Sequence, residues 1–249
     1  MKDSQNYIEK KSFFNSLITL YGRNVTLEVL EDRTISIHKL HLSSSNKTDG
    51  IVDRIVTLAK KRGVEVAYHT KEALSHISKN AKQDQGVAID IKAPLYKNAN
   101  ELKELDSFRL IALDGIQNPQ NLGLIIRSCA AGNIDGIILP KLNSAKISPL
   151  VIKASAGTLF RLPIYHCQKL SDILERLDAK TYILSSSAKD SIYTLSSSKK
   201  EIFVLGNESD GVSKEVEKLT AHKLYIPMQR GVESLNVAMA ATILAFLVP

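Results

Sequence analysis

The chain has 249 residues, 44% hydrophobic and 24% charged, with 33 Lys and Arg against 26 Asp and Glu for a formal net charge of +7. This length admits one large domain or two modest ones, and a mild basic excess spread over both halves favours a polyanionic partner without supplying a basic tail. The two cysteines, Cys129 and Cys167, form no Cys-x-x-Cys pair, which argues against a disulfide framework and against a structural zinc site.

The first residues lack the basic-then-apolar build of a signal peptide. The longest apolar run, 237–249, is too short to span a bilayer. A reducing cytoplasm is therefore the expected compartment, with no membrane partner. Between Val25 and Ile91 strand-like and helix-like patterns alternate. Residues 35–42 alternate apolar and polar as a half-buried strand does. His38 and His41 fall on opposite faces of that strand and read as two partly exposed histidines. Residues 51–61 put Ile51, Ile55, Leu58 and Ala59 on one helical face, with Gly63 as the stop. Two further strands, 64–68 and 86–91, complete a small α/β unit. Residues 94–107 read as a linker or linking helix.

From Phe108 a second series begins, with strands at 110–113, 136–139, 162–165, 181–184, 202–205 and 223–226. Most are short continuous apolar runs with helical stretches between them, the pattern of a largely parallel sheet covered on both faces. Three serine triplets, 43–45, 185–187 and 196–198, read as loop or strand-end segments.

Three stretches carry candidate chemistry. In the first, Asn118 is an N-cap and Pro119 suits the first helical position, for a helix ending near Ala131 that Gly132 can close in a left-handed conformation. Gly123 lies four residues before Arg127, and its cost of roughly 1 kcal/mol in a helix implies a close approach beside the guanidinium. A capped helix with a solvated arginine explains the same residues. The second stretch, Gly206-Asn207-Glu208 followed by Gly211, opens a turn at the carboxyl end of a buried strand, where open α/β sheets bind ligands. It is not a phosphate-binding P-loop, because Val212 stands where the lysine belongs, and no Gly-x-Gly-x-x-Gly occurs in the chain. A plain turn is equally compatible with it. In the third, Pro227 ends a strand and Ser234 can cap a helix running to about Leu247. That helix is apolar all round except at Thr242, so it must be buried within the domain or against another subunit. Ser234 and Asn236 at its mouth need polar partners, and a ligand is one source of them.

In this order, along 108–249, the three stretches resemble the signature motifs of the SpoU (TrmH-type) RNA 2′-O-ribose methyltransferases. Lys153-Ala154-Ser155-Ala156-Gly157 fits a lesser feature of the same family. The N-terminal unit resembles the substrate-binding domain of the rRNA-modifying branch, with Tyr21-Gly22 and Gln85-Gly86-Val87-Ala88 as its recognisable points. One departure stands out. Family members often carry glycine at the position of Arg230, and here the glycine is displaced to 231.

The resemblance implies a substrate-binding domain over 1–92 (with 1–20 as an extension), a linker over 93–107 and a catalytic domain over 108–249. The expected fold is α/β: a SPOUT-type parallel sheet with a C-terminal trefoil knot, plus the small N-terminal α/β RNA-binding domain. It implies S-adenosylmethionine as methyl donor, no metal, and a homodimer through the catalytic domains. Carried over by motif, the cofactor cradle comprises Leu205, Gly206, Asn207, Ile226, Met228, Leu235 and Asn236. The catalytic set comprises Asn118, Arg127, Glu208, Ser234 and Asn236. The resemblance gives Arg127 as the base or a phosphate contact; because an isolated arginine stays protonated, the phosphate clamp, which also lowers the pKa of the ribose hydroxyl, is the preferred reading. Glu208 either accepts the proton or fixes Arg127.

The implied partner is RNA, with no DNA partner, and the implied target is a guanosine ribose of 23S rRNA. Methylation of tRNA is a second reading, weakened by the N-terminal unit that the tRNA branch typically lacks. A catalytically silent RNA-binding protein is a third, with Arg230 its one support.

Overall fold

The structure is a computed structural model that describes residues 17–47, 50–82, 84–92, 96–207, 209–220 and 222–247. The chain divides into two units, Met1–Pro94 and Leu95–Pro249.

In the first unit, four strands lie in the order β1-β4-β2-β3: β1 (Leu17–Tyr21), β2 (Ile37–Ser43), β3 (Glu65–His69) and β4 (Val87–Lys92). β4 runs antiparallel to both neighbours, and β2 and β3 are parallel. Helices α1 (Arg23–Glu31), α2 (Gly50–Lys61) and α3 (Lys71–Ser78) connect them. Residues 17–20, expected to belong to an extension, instead form the edge strand β1. Leu20 is fully buried there, and each residue from Leu17 to Tyr21 has a partner in β4. On α2 the buried stripe is Val52, Ile55, Val56 and Ala59, so Ile51 and Leu58 sit at its border rather than in it. Gly63 stops α2 at φ 65°, as expected. The Arg62 guanidinium donates to the carbonyls of Val29, Leu30, Asp32 and Ile35 at 2.6–3.1 Å, satisfying acceptors at the end of α1.

His41 corrects the reading of two partly exposed histidines. It is buried, with Nδ1 3.0 Å from His69 Nε2 and Nε2 3.1 Å from Asp90 Oδ2. Thr19 donates to the other oxygen of Asp90 at 2.7 Å, so a polar chain crosses all four strands. Burial pushes the Asp90 carboxyl up, but the hydrogen bonds from His41 and Thr19 outweigh it and hold the group below the ordinary carboxylate value.

The second unit is built on eight strands in the order β10-β12-β9-β11-β6-β7-β8-β5, and every pairing is parallel. The six expected strands appear as β6 (Phe108–Asp114), β7 (Gly136–Pro140), β8 (Ile164–Cys167), β9 (Lys180–Leu184), β11 (Lys200–Gly206) and β12 (His222–Tyr225). The short β5 (Lys97–Asn98) and β10 (Asp190–Ser191) close the two edges. Helices α4 (Pro119–Ala131), α5 (Pro149–Ala154), α6 (Leu170–Arg176), α7 (Lys214–Leu219) and α8 (Val237–Phe246) complete the unit. The central strands are buried almost throughout, which accounts for their unbroken apolar sequences. The segment read as a linker is part of this unit. Asn98 and Glu101 form a capping box that starts a 3-10 helix, Ala99–Glu104, and Ala99 and Leu102 are fully buried in the core.

Because the whole sheet is parallel, the carboxyl ends of β6, β7, β8, β9, β11 and β12 lie along one edge. This is where open α/β sheets present ligand sites. Cys129 and Cys167 are free and buried, and burial pushes their thiols up to about 12 and about 11, so neither is a thiolate at neutral pH. Among the described residues no helix is long and apolar enough to cross a membrane.

Candidate active site

β11 delivers the loop that forms one wall of the site. The Asn207 and Gly211 backbones exchange two hydrogen bonds of 3.1 Å, closing a tight turn. Asn207 Oδ1 accepts from the amides of Ser209 and Asp210 at 2.8 and 2.7 Å. Asp114, at the end of the neighbouring β6, accepts from the Ser213 amide at 2.8 Å and ties the loop to the sheet. A Cβ on Gly206 would overlap the Gly211 carbonyl and the Val212 nitrogen, so the turn can close over position 206 only when it is glycine.

The second wall is the segment after β12. It passes through Ile226, Pro227 and Met228 to a turn at 230–231. There Arg230 has φ 57° and Gly231 φ 72°. Both residues are left-handed, and position 230, where the resemblance led to an expectation of glycine, carries the strain of an ordinary side chain.

The third element is the mouth of α8. Its N-cap is Asn236, not Ser234 as expected: Asn236 Oδ1 accepts from the Ala238 amide at 2.8 Å. The Asn236 side-chain nitrogen donates to Asn121 Oδ1 at 3.2 Å. Protein partners therefore supply polar contacts for Asn236, for which a ligand had been one candidate. Thr242, the polar exception in this helix, donates to the Ala238 carbonyl, and its hydroxyl lies 2.6 Å from Ser128 Oγ on α4.

These elements enclose a cavity of about 510 Å³ at the carboxyl ends of β9, β11 and β12, within the roughly 300–1,000 Å³ usual for small-molecule sites. Its lining includes every residue of the expected cradle: Leu205, Gly206, Asn207, Ile226, Met228, Leu235 and Asn236. Ser234 also lines it. Sequence reasoning missed Ser185, Ser186 and Tyr225 in the wall. The two serines belong to a triplet read as a loop or strand-end segment without function, and the signal was their place just after β9, a buried parallel strand. Among the described lining residues there is no Lys or Arg, and Glu233 is the one charged side chain.

Asn118 and Arg127 stand outside this lining, on α4. Asn118 caps the helix as expected, accepting from the amides of Gln120 and Asn121 at 2.8 and 3.4 Å. Arg127 is exposed, nine residues further along, which at 1.5 Å per residue is roughly 14 Å from the cap. The close approach required by Gly123 comes from α5, not from a ligand. A Cβ there would stand 2.5 Å from Ala154 Cβ and 2.7 Å from the Val151 carbonyl. Gly132 ends α4 in an extended conformation (φ −106°), not a left-handed one, and a Cβ there would collide with the Ala245 carbonyl. Asn121, buried between the cap of α4 and the cap of α8, was also missed, although it stands in the same motif. Glu208 lies outside the described residues. No three His, Cys, Asp or Glu side chains gather as a metal site requires among the described residues.

Comparison with known proteins bears on this arrangement. The model of the SpoU rRNA Methylase family matches residues 109–246, and a model for RNA 2'-O ribose methyltransferase substrate binding matches residues 19–97. The 23S rRNA (guanosine-2'-O-)-methyltransferase RlmB of Xylella fastidiosa is 32% identical over 235 residues, covering 91% of this chain and 94% of the relative. The protein of the same name from Xanthomonas campestris is 28% identical over 235 residues, with the same coverage of 91% and 94%. In fold, the chain is similar to the SpoU methyltransferase AviRb from Streptomyces viridochromogenes, solved in complex with AdoMet (TM-score 0.78, 18% identity, 95% of this chain and 90% of that one). It is also similar to an AdoMet-bound rRNA methyltransferase from Sinorhizobium meliloti (TM-score 0.74, 22% identity, 95% and 88%).

Proposed function

The chain belongs to the SpoU rRNA methylase family, and we propose that it moves a methyl group from S-adenosylmethionine to the ribose 2′-hydroxyl of a guanosine in 23S rRNA. The observation that carries this reading is the convergence of the second and third motifs on one cavity that has no cationic lining among its described residues. A dinucleotide or nucleoside triphosphate would need cations or a glycine-rich phosphate loop there. A nucleoside that bears a sulfonium charge and no phosphate needs neither. Apolar Leu205, Ile226, Met228 and Leu235 can cover its rings, and the backbone and side chains of Ser185, Asn207 and Asn236 can take its polar ends.

When bound, S-adenosylmethionine supplies a methyl group already activated by positive charge. The work left to the chain is alignment and proton removal. Holding oxygen, methyl carbon and sulfur in line can contribute about 7–11 kcal/mol. Arg127, exposed on α4 and outside the cavity lining, acts on the RNA side, clamping a phosphate with its planar fork of donors. Its charge also favours the ionised hydroxyl. Glu208 takes the proton or orients Arg127, while Ser234 and Asn236 position the loop at the cavity mouth. The same reading has the chain after β12 threaded as a trefoil knot, with α8 returned against α4, where the Asn133 amide donates to the Ala245 carbonyl at 2.7 Å. It also makes the enzyme a cytoplasmic homodimer through α4 and α8. Met239 and Phe246, seven residues apart on α8, are 58% and 57% exposed, as an apolar face awaiting a second copy would be.

Calorimetry tests the cofactor half of this reading. A truncated chain beginning at Leu95, which keeps the packed 97–104 segment, should bind S-adenosylmethionine with the affinity of the full chain but methylate RNA poorly. Arg127→Ala should abolish transfer and leave cofactor affinity intact. Glu208→Gln should slow single-turnover transfer by about 100-fold if the carboxylate is the base, and only mildly if it orients Arg127. Loss of cofactor binding in a folded 95–249 chain, or in Arg127→Ala, would contradict the assignment.

A further inference from the structure

A second cavity, of about 500 Å³, opens at the carboxyl ends of β7 and β8 beside the short edge strand β5. Its charge is opposite in character to that of the first. Lys97, Lys141, Lys169 and Arg176 line it, against the single carboxylate of Asp172 among its described lining residues. Lys169 is paired with Glu215 at 3.2 Å, which leaves three cations to one acid.

The floor of the cleft is aromatic. The His166 ring stacks on Tyr96 with centroids 3.5 Å apart and planes 14° apart. Burial, helped by Lys141, lowers the imidazole from 6.5 to about 4, so at neutral pH it is an uncharged hydrogen-bonding wall. The positive charge of the cleft is therefore that of lysine and arginine alone.

The loop 141–148 joins this cleft to the first motif. The Lys141 amide donates to the Cys167 carbonyl at 2.9 Å, and the Ile147 amide to the Tyr96 hydroxyl at 3.3 Å, so both of its ends border the cleft. Between them the Ala145 amide donates at 2.8 Å to the Ile116 carbonyl, two residues before Asn118. The loop also displays Lys146 and a 71% exposed Leu142. β11, β6, β7 and β8 are consecutive in the sheet, so the motif-two loop and the cleft are three strand spacings apart, roughly 14 Å on the same edge.

We propose that this cleft is a second RNA-contact site, which holds backbone phosphates of the single strand flanking the methylated ribose. The proposal rests on the methyltransferase reading above. A strand leaving the target ribose passes over the 116–118 turn and the exposed 141–148 loop before its phosphates meet Lys141, Lys97 and Arg176. These cations are exposed and spread along the cleft rather than converging on one point, as a track for a polyanion requires and a pocket for one free anion does not.

The test uses the full chain, unmodified 23S rRNA transcript and poly(U). A Lys97→Ala/Lys141→Ala/Arg176→Ala variant should bind both RNAs about tenfold more weakly, and its dependence of log affinity on log salt should be shallower by about 2, as loss of three single-strand phosphate contacts requires. Its KM for RNA should rise while kcat at saturating RNA and S-adenosylmethionine affinity are unchanged, which also shows that it is folded. A Lys180→Ala/Lys199→Ala/Lys200→Ala variant, at the amino-terminal edge of the sheet, should keep wild-type affinity and slope. Wild-type affinity and slope in the first variant would overturn the proposal. So would equal weakening in the second, or displacement of poly(U) by inorganic phosphate at millimolar concentration. If wild-type chain binds no S-adenosylmethionine and transfers no methyl group, the methyltransferase reading fails and the proposal falls with it. If the wild type is active and the first variant is indistinguishable from it, the cleft alone is refuted.

Discussion

Asn236 Nδ2 donates to Asn121 Oδ1 at 3.2 Å, joining the cap of α8 to the first turn of α4 across 115 residues of sequence. The first and third motifs are thus held together at the starts of α4 and α8 by this side-chain pair, with Ser128 and Thr242 joining the same helices further along, and the cavity mouth is fixed by the protein before any ligand arrives. Asn236→Ala removes both this link and the bond to the Ala238 amide. It should cost about 1–2 kcal/mol, the upper part of the range for lost N-caps. Asn236→Asp keeps an acceptor for the Ala238 amide but sets a carboxylate oxygen against Asn121 Oδ1, so it should recover only part of the loss. Denaturant unfolding of the three chains measures this, and full recovery by Asp would show that the Asn121 link contributes nothing.

Gly123→Ala should destabilise the second unit even though alanine is the better helix former by roughly 1 kcal/mol. The new methyl would press on Ala154 and the Val151 carbonyl, and α5 cannot move without disturbing the fully buried Ser155 behind it. A fall in the thermal midpoint is the expected outcome. A rise would mean that α4 and α5 have room to separate.

Arg230→Gly should have the opposite effect. A left-handed non-glycine residue costs about 1–2 kcal/mol, and glycine's greater freedom in the unfolded chain takes back about 0.4–1 kcal/mol. A net gain of up to about 1.6 kcal/mol should appear in unfolding curves, with S-adenosylmethionine affinity kept or improved. Destabilisation would place Arg230 in an interaction that outweighs its strain.

Motif order and the six long strands of the second unit were legible in the sequence because buried parallel strands are short apolar runs; their order in the sheet was not. Caps were partly legible: Asn118 and Pro119 start α4 where expected, whereas α8 starts at Asn236 rather than Ser234, two residues that are both good N-caps, and the bond from Asn236 to Asn121 is a long-range contact that no local pattern encodes. Gly123 and Gly132 were recognised as meaningful but assigned the wrong cause. A sequence shows that a Cβ is missing, not that Ala154 or the Ala245 carbonyl fills its place. Residues 17–20 escaped notice although Leu17-Ile18-Thr19-Leu20-Tyr21 is an apolar, strand-like run; the strand it pairs with, β4, lies far along the chain. His41 was misread because its partners, His69 and Asp90, come from two other strands.

The stacked His166 gives a pH dependence of defined sign. Its folded value is lowered from 6.5 to about 4. As pH falls below 6.5 the unfolded chain takes up a proton that the folded chain refuses, so the stabilisation is complete above that value and is lost progressively down to about 4. His166→Phe keeps an aromatic ring against Tyr96 and removes the titration. The difference in thermal midpoint between pH 7 and pH 5 should be smaller in the variant than in wild type. The comparison cancels Asp90 and His69 of the first unit, whose lowered values weaken the fold in acid in the same direction. Equal differences in the two chains would show that His166 is protonated in the folded state at pH 5.

The most direct test of the account is transfer of label from methyl-labelled S-adenosylmethionine by the full chain, offered unmodified 23S rRNA and unmodified tRNA side by side, followed by mapping of the modified position. Label is expected in 23S rRNA alone, on the ribose 2′-oxygen of a guanosine. Label on a base, label in tRNA instead, or no transfer by a chain that binds both substrates would contradict it.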